Sequence, residues 1–413
     1  MNRYTVKSRN ICSFDDNGKM RVIDGFIVIG DDKIEDVTAR VPDGLDILDA
    51  SDMTVTPGLI DAHTHLVHAG SRENEMSMKQ NGVSYLEILK NGGGILSTVN
   101  KTRAASKDEL KAKALKSLDI MLSHGTTTVE AKSGYGLDFE TEIKQLEIAR
   151  ELNDCHPVSI VSTYMGAHAI PAEYRENRRG YVDLMINKVM PYTAENGLAE
   201  FFDVFCEDGA FTLDETVELF EAAQKLGFGL KLHADEIVPM GGAELAARFA
   251  AASAEHLLAA SDAGIAVLAE AGVTAVLLPA TAFYLMKGHY ARAREMIKAG
   301  MRVALATDYN PGSCPTENMQ AVMTFAAFGM GLTTEEILRG MTLNAAYAIN
   351  RQKSIGNIKA GMNADLVIFD APNPDYIIYH FGINHVDMVI KNGKTVFNHK
   401  NHKKTQKKDG KLC

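Results

Sequence analysis

At 413 residues, with 46% hydrophobic and 23% charged residues, the chain has the make-up of an ordinary globular protein of about two domains. Its formal net charge of −10 argues against nucleic acid or an anionic membrane as the main partner. No stretch reaches the roughly 18 apolar residues of a membrane span. The N-terminal residues lack the apolar core of a secretion signal, and the cysteines (Cys12, Cys155, Cys206, Cys314, Cys413) are scattered and odd in number, so a cytoplasmic protein with reduced thiols is expected.

The first fifty or so residues read as short strands. Segments 25–29 and 33–37 flank Gly30-Asp31-Asp32, which has the chemistry of a hairpin turn. Then comes Pro57-Gly58-Leu59-Ile60-Asp61-Ala62-His63-Thr64-His65, an apolar run climbing to two histidines one residue apart. Residues i and i+2 of a strand share a face, so His63 and His65 aim at one point and make half of a transition-metal site. This run resembles the first barrel strand of the amidohydrolase superfamily, metal-dependent hydrolases of C–N and related bonds.

Strand and helix alternate from there. Strands are expected at 59–65, 125–130, 158–163, 201–206, 229–233, 253–256, 274–278 and 303–307, and helical periodicity marks 107–124, 213–225 and 292–299. Eight strands alternating with helices fit an α/β fold, the (β/α)8 TIM barrel, with its chemistry at the C-terminal strand ends. Farther on, 364–369 reads as a strand, and 386–390 and 395–397 flank Asn392-Gly393, the strongest short hairpin signal. Isolated hairpins are marginal, so both termini are expected to pair into one small β-sandwich domain. The expected division is 1–56 plus 359–400 for that domain, 57–358 for the catalytic barrel and 401–413 for a solvated basic tail.

The polar residues at the strand ends carry the chemistry. They are His63 and His65, Lys132-Ser133-Gly134-Tyr135-Gly136, His168, Cys206-Glu207, His233 with Asp235 and Glu236, Glu255-His256, and Asp308 with Asn310-Pro311-Gly312-Ser313. Singly, His233 or His256 could be a satisfied core histidine and Asp308 a helix cap. Together, His63, His65, His233 and Asp308 make an N3O set suited to Zn2+ or iron. Some amidohydrolases bridge two metals with a carboxylated lysine at the end of strand four. That end reads Cys206-Glu207 here and Lys132 sits on strand two, so one ion per chain is expected.

Longer blocks narrow the resemblance. Ala69-Gly70-Ser71-Arg72, Gly92-Gly93-Gly94-Ile95, Lys132 to Asp138, Gly166-Ala167-His168-Ala169, Leu232 to Glu236 and Thr307 to Thr316 resemble the imidazolonepropionases of histidine degradation. Glu255 and Ala280 depart from the Asp and Gly expected there, and Glu255 could shift the neighbouring His256. The resemblance implies hydrolytic opening of 4-imidazolone-5-propanoate, an anionic small molecule, to N-formimidoyl-L-glutamate. It also implies one zinc or iron ion, a cytoplasmic homodimer, and neither nucleic acid nor membrane as partner. It makes Glu236, His256 and Asp308 the catalytic residues: Asp308 relays a proton, His256 steadies the oxyanion, and Glu236 meets the ring nitrogens or moves a proton. It assigns substrate contacts to Arg72, Tyr85, Tyr135, His168, Glu236, Asn310, Gly312 and Ser313. Two other readings remain: another enzyme of the same scaffold, such as a nucleobase deaminase, or a non-catalytic scaffold that has lost its ligands.

Overall fold

The computed structural model describes residues 3–41, 43–83 and 93–399. Tyr85 and the basic tail lie outside the described residues. No described helix is long and apolar enough to cross a membrane.

Both chain ends build one sheet. Its path runs β16 (Lys394–Asn398), β15 (Val386–Lys391), β14 (Leu366–Phe369), β5 (Thr54–Pro57), β1 (Arg3–Phe14), β2 (Met20–Gly30) and β3 (Lys33–Thr38), with β4 (Asp46–Asp49) branching from β1. The joint between the termini is the antiparallel pair of β14 and β5, where Leu366 faces Pro57 and Phe369 faces Thr54. Two expected hairpins close here, β2 with β3 across Asp31 and β15 with β16 across Asn392-Gly393. Their turns meet, because a Cβ on Gly393 would collide with the Asp31 carbonyl. Val6, Ile27, Val55, Leu366 and Ile390 of this sheet form one core cluster, all fully buried.

A second sheet is parallel throughout: β6 (Leu59–Asp61), β7 (Thr126–Lys132), β8 (Ser159–Ala167), β9 (Phe201–Cys206), β10 (Gly229–Ala234), β11 (Ser253–His256), β12 (Thr274–Leu277) and β13 (Val303–Leu305), in that spatial order. The ring closes beyond the ends of the first and last strands. His65 N–H donates to Tyr309 C=O at 2.9 Å, and Asp308 N–H donates to His63 C=O at 3.0 Å. Asp61 adds a side-chain clasp by accepting from Thr307 N–H at 3.0 Å and Thr307 Oγ1 at 2.6 Å. Barrel strands covered on both faces read as near-continuous apolar runs, and β7 and β12 are buried at every position.

The outer helices start where the sequence provides caps. Lys107–Ser123 begins on a capping box of Ser106 and Glu109, and Leu213–Lys225 on one of Thr212 and Glu215. The first ends before Gly125, whose φ of +96° only glycine adopts freely. The strand expected at 125–130 extends to Lys132, which places that lysine inside the barrel wall. Cys12, Cys206 and Cys314 are buried free thiols.

Candidate active site

His63 and His65 stand just past β6, His233 within β10, His256 at the end of β11, and Asp308 just past β13. All five are buried at the C-terminal mouth of the barrel. Imidazole centroids lie 4.6 Å apart for His63 and His233, 5.6 Å for His63 and His65, and 5.1 Å for His233 and His256. Their donor atoms fall into two triads, His63–His233–His256 and His63–His65–Asp308, each with its atoms within 4.8 Å of one another. His63 belongs to both. The four expected ligands therefore gather around His63, and His256 stands close enough to coordinate as well. Asp308 Oδ1 is 3.4 Å from His63 Nε2 and 3.7 Å from His65 Nε2.

Three observations fit a metal ion. His63 Nε2, His65 Nδ1 and His233 Nε2 are buried and meet no hydrogen-bond partner. A buried polar atom left unpaired is costly, and a cation between His63 and His233 would satisfy their two Nε2 atoms, while His65 turns its Nε2 toward Asp308. Burial, reinforced by nearby positive groups, pushes His63, His65 and His233 well below the usual histidine range. They are therefore neutral, the form that ligates. Burial also pushes Asp308 up to about 8. A divalent ion would reverse that by favouring the carboxylate.

The backbone turns sharply to aim these groups. Asp308, His256 and Asp235 have φ of +58°, +66° and +48°. For non-glycine residues this conformation costs on the order of 1–3 kcal/mol each. Asp235 offsets its share: one oxygen accepts from the N–H groups of Met240, Gly241 and Gly242 at 3.0, 3.2 and 3.0 Å. Its neighbour Glu236 reaches inward, with Oε2 3.7 Å from His256 Nε2. Glu236 and His256 wall a cavity together with Thr281, Leu285, Lys287 and Met330. Burial pushes Glu236 up to about 7 and His256 down to about 4.

His168 stacks on His65 at 4.7 Å and 13°, and Tyr135 lies 5.2 Å from His168 and 5.5 Å from His65. Glu142 holds the Tyr135 loop by accepting from Gly134, Gly136 and Leu137 N–H at 3.0, 2.8 and 2.8 Å. Arg72 is buried, with Nε and Nη2 donating to the two oxygens of Glu75 at 2.9 and 2.8 Å. Glu75 also accepts from Gly94 N–H at 2.7 Å. A Cβ on Gly312 would collide with the Arg72 guanidinium, so the absence of a side chain there lets the two meet. Asn310 shapes its own loop: Nδ2 donates to Asp308 C=O at 2.7 Å and Oδ1 accepts from Gly312 and Ser313 N–H at 2.8 Å each.

The amidohydrolase family model matches residues 54–396 of the chain. An imidazolonepropionase of Treponema denticola is 60% identical over 378 residues, 90% of this chain and 92% of that protein. Imidazolonepropionase of Alkaliphilus oremlandii is 56% identical over 380 residues, 90% of each chain. The chain belongs to the imidazolonepropionases of the amidohydrolase family. Among solved structures, 5-methylcytosine deaminase from Klebsiella pneumoniae superimposes with a TM-score of 0.74 at 18% identity, covering 96% of this chain and 97% of that one. An atrazine chlorohydrolase from Arthrobacter aurescens complexed with zinc gives 0.70 at 19%, covering 96% of each. These two likenesses support the fold.

Beneath the mouth of this amidohydrolase lies a charged layer of which only Lys132 and Glu255 stand out in the sequence. His63 Nδ1 lies 2.7 Å from Glu255 Oε2, and His233 Nδ1 lies 3.1 Å from the Asp203 carboxylate. Glu255 therefore serves His63, not the adjacent His256. Lys132 Nζ bonds Glu130 at 2.8 Å and Asp203 at 2.7 Å. Burial lowers the affinity of Lys132 for its proton, but Asp203, Glu130 and Glu255 outweigh it, and the ammonium is held above its ordinary value. A lysine so engaged is no candidate for carboxylation. The available signal was polar or charged residues on alternate positions of strands with buried faces: Glu130 and Lys132, Lys231 and His233, Ser253 and Glu255. Thr281 escaped notice too, and it donates to Asp308 Oδ2 at 2.8 Å.

Proposed function

We infer that this enzyme adds water to 4-imidazolone-5-propanoate and opens its ring to N-formimidoyl-L-glutamate in histidine degradation; relatives 60% and 56% identical are named imidazolonepropionase. The observation that carries the reading is the set of unpartnered imidazole nitrogens beside Asp308 at the barrel mouth. His63, His65, His233 and Asp308 would hold one zinc or iron ion. When bound, such an ion supplies Lewis-acid activation of water near neutral pH.

The chain's own groups do the rest. Water oxygen bonds the ring carbonyl carbon, the carbon–nitrogen bond breaks, and the leaving nitrogen takes a proton. Asp308 accepts and relays a proton from the water. Neutral His256 donates a hydrogen bond to the carbonyl oxygen as negative charge develops there. Glu236, raised by burial, meets the ring nitrogens and returns the proton. Tyr135 and His168 pack beside the ring, Arg72 gives the propionate its positive charge, and the loop of Asn310, Gly312 and Ser313 bounds the opened end. Tyr85 completes this set.

The enzyme is proposed to be a cytoplasmic homodimer, with residues 57–358 as the catalytic barrel and 1–56 plus 359–400 as a composite small β-domain. Incubation with the imidazolone and identification of the product by mass tests the activity. Ammonia release without ring opening would favour the deaminase reading. Sedimentation tests the dimer.

A further inference from the structure

We propose that Asp203 and Glu255 are positioning residues for the metal: each takes the Nδ1 proton of one histidine ligand, His233 and His63 respectively, and Lys132 and Lys231 hold the two carboxylates in place. The proposal rests on the metal reading given above.

A carboxylate can only accept, so the contacts at 2.7 and 3.1 Å put the proton on Nδ1 of both histidines. Nε2 then carries the lone pair. Those two Nε2 atoms are the ones the protein leaves without partners. The carboxylates are fixed in turn. Ser253 Oγ donates to Glu255 Oε1 at 2.5 Å, and Lys231 Nζ stands 3.5 Å from that same oxygen and 2.9 Å from Ser253 Oγ. Lys132 Nζ bridges Asp203 and Glu130, and Glu130 Oε1 lies 3.5 Å from Lys231 Nζ. The two histidine partners, on β9 and β11, are thereby joined through Lys132, Glu130 and Lys231.

All five charged side chains have no exposed surface. Burying ions costs several kcal/mol each, and apolar replacements are often neutral or stabilising. Barrel interiors are ordinarily filled by branched apolar residues. Fold stability alone is a poor reason for this layer. Its composition points to the site above it. The carboxylates of Asp203 and Glu255 stand directly under the histidines, where they complement a cation and raise ligand basicity.

The test uses Zn2+ and the full-length protein. Asp203→Asn and Glu255→Gln should each weaken Zn2+ binding, measured by chelator competition, by about 10- to 100-fold. Glu255→Asp, which keeps the carboxylate, should recover part of the loss. Nitrogen-15 histidine spectra of the zinc-loaded wild type give a readout that needs no variant: His63 and His233 should show protonated Nδ1. Zn2+ affinity within twofold of wild type in both amide variants, or an Nε2–H tautomer at either histidine, overturns the proposal. A wild-type protein that takes up no Zn2+ overturns the metal reading itself and this inference with it.

Discussion

At the scale of single residues, His256 is the most informative. Its ring shares a triad with His63 and His233, yet it also faces Glu236. As an oxyanion donor its loss should cost about 10²–10³ in kcat. His256→Ala is expected to purify with its metal and lose activity on that order; a protein that arrives without metal makes His256 a ligand. His65→Ala and Asp308→Ala should behave in the opposite way and lose the ion, since each removes a ligand. Arg72 carries a third expectation. Removing one partner of a buried charge pair costs roughly 2–5 kcal/mol, and each 1.4 kcal/mol is about tenfold. Arg72→Ala should therefore lower kcat/KM at least about thirtyfold with metal content unchanged. Arg72→Lys should recover only part, because an ammonium lacks the planar fork that can hold the propionate carboxylate. Near-normal kcat/KM in the alanine variant would move the propionate anchor elsewhere, with His168 next to test.

At the scale of an element, the loop after β7 shows how the proposed substrate surface around Tyr135 is kept rigid. Gly134 has φ of +105°, and a Cβ on Gly136 would run into Thr141 and Glu142. Glu142 comes from the helix Phe139–Cys155, is fully buried, and ties three N–H groups of the loop to that helix. Each buried donor left unsatisfied costs roughly 1–3 kcal/mol. Glu142→Ala should lower the melting temperature and raise KM more than it lowers kcat, because the loop carries Tyr135 and not the ligand set. Metal analysis and steady-state kinetics on one preparation would check it. Unchanged KM with reduced metal would place the Glu142 effect at the ligands instead.

At the scale of the whole molecule, the ion would act as a staple. Its ligands come from both ends of the ring, after β6 and after β13, with His233 between them on β10. A ligand present at 1,000 times its dissociation constant stabilises by about 4 kcal/mol. Exhaustive chelation should therefore lower the calorimetric transition, and re-added Zn2+ or iron should restore it. Elemental analysis should find one ion per chain. Two ions per chain would remove the single-ion assignment, and an unshifted transition on chelation would remove the staple.

The barrel's periodicity, the terminal hairpins and the His63-x-His65 pair were legible in the sequence because they are local: alternation, turn chemistry and spacing act over a few residues. So were His233, His256 and Asp308, which stand at strand ends where polar residues interrupt apolar runs. The ionic layer was not. Asp203, Lys231 and Glu255 each look like an odd charge in an apolar strand, and only the neighbouring strands show that the charges meet; in the register, Lys231 sits beside both Asp203 and Ser253. Arg72 stands out in the sequence as a substrate contact, but its clamp by Glu75 depends on side-chain direction. Periodicity determines which face a residue takes. Which residue it meets there is decided by how the barrel closes, a long-range property that no local pattern contains.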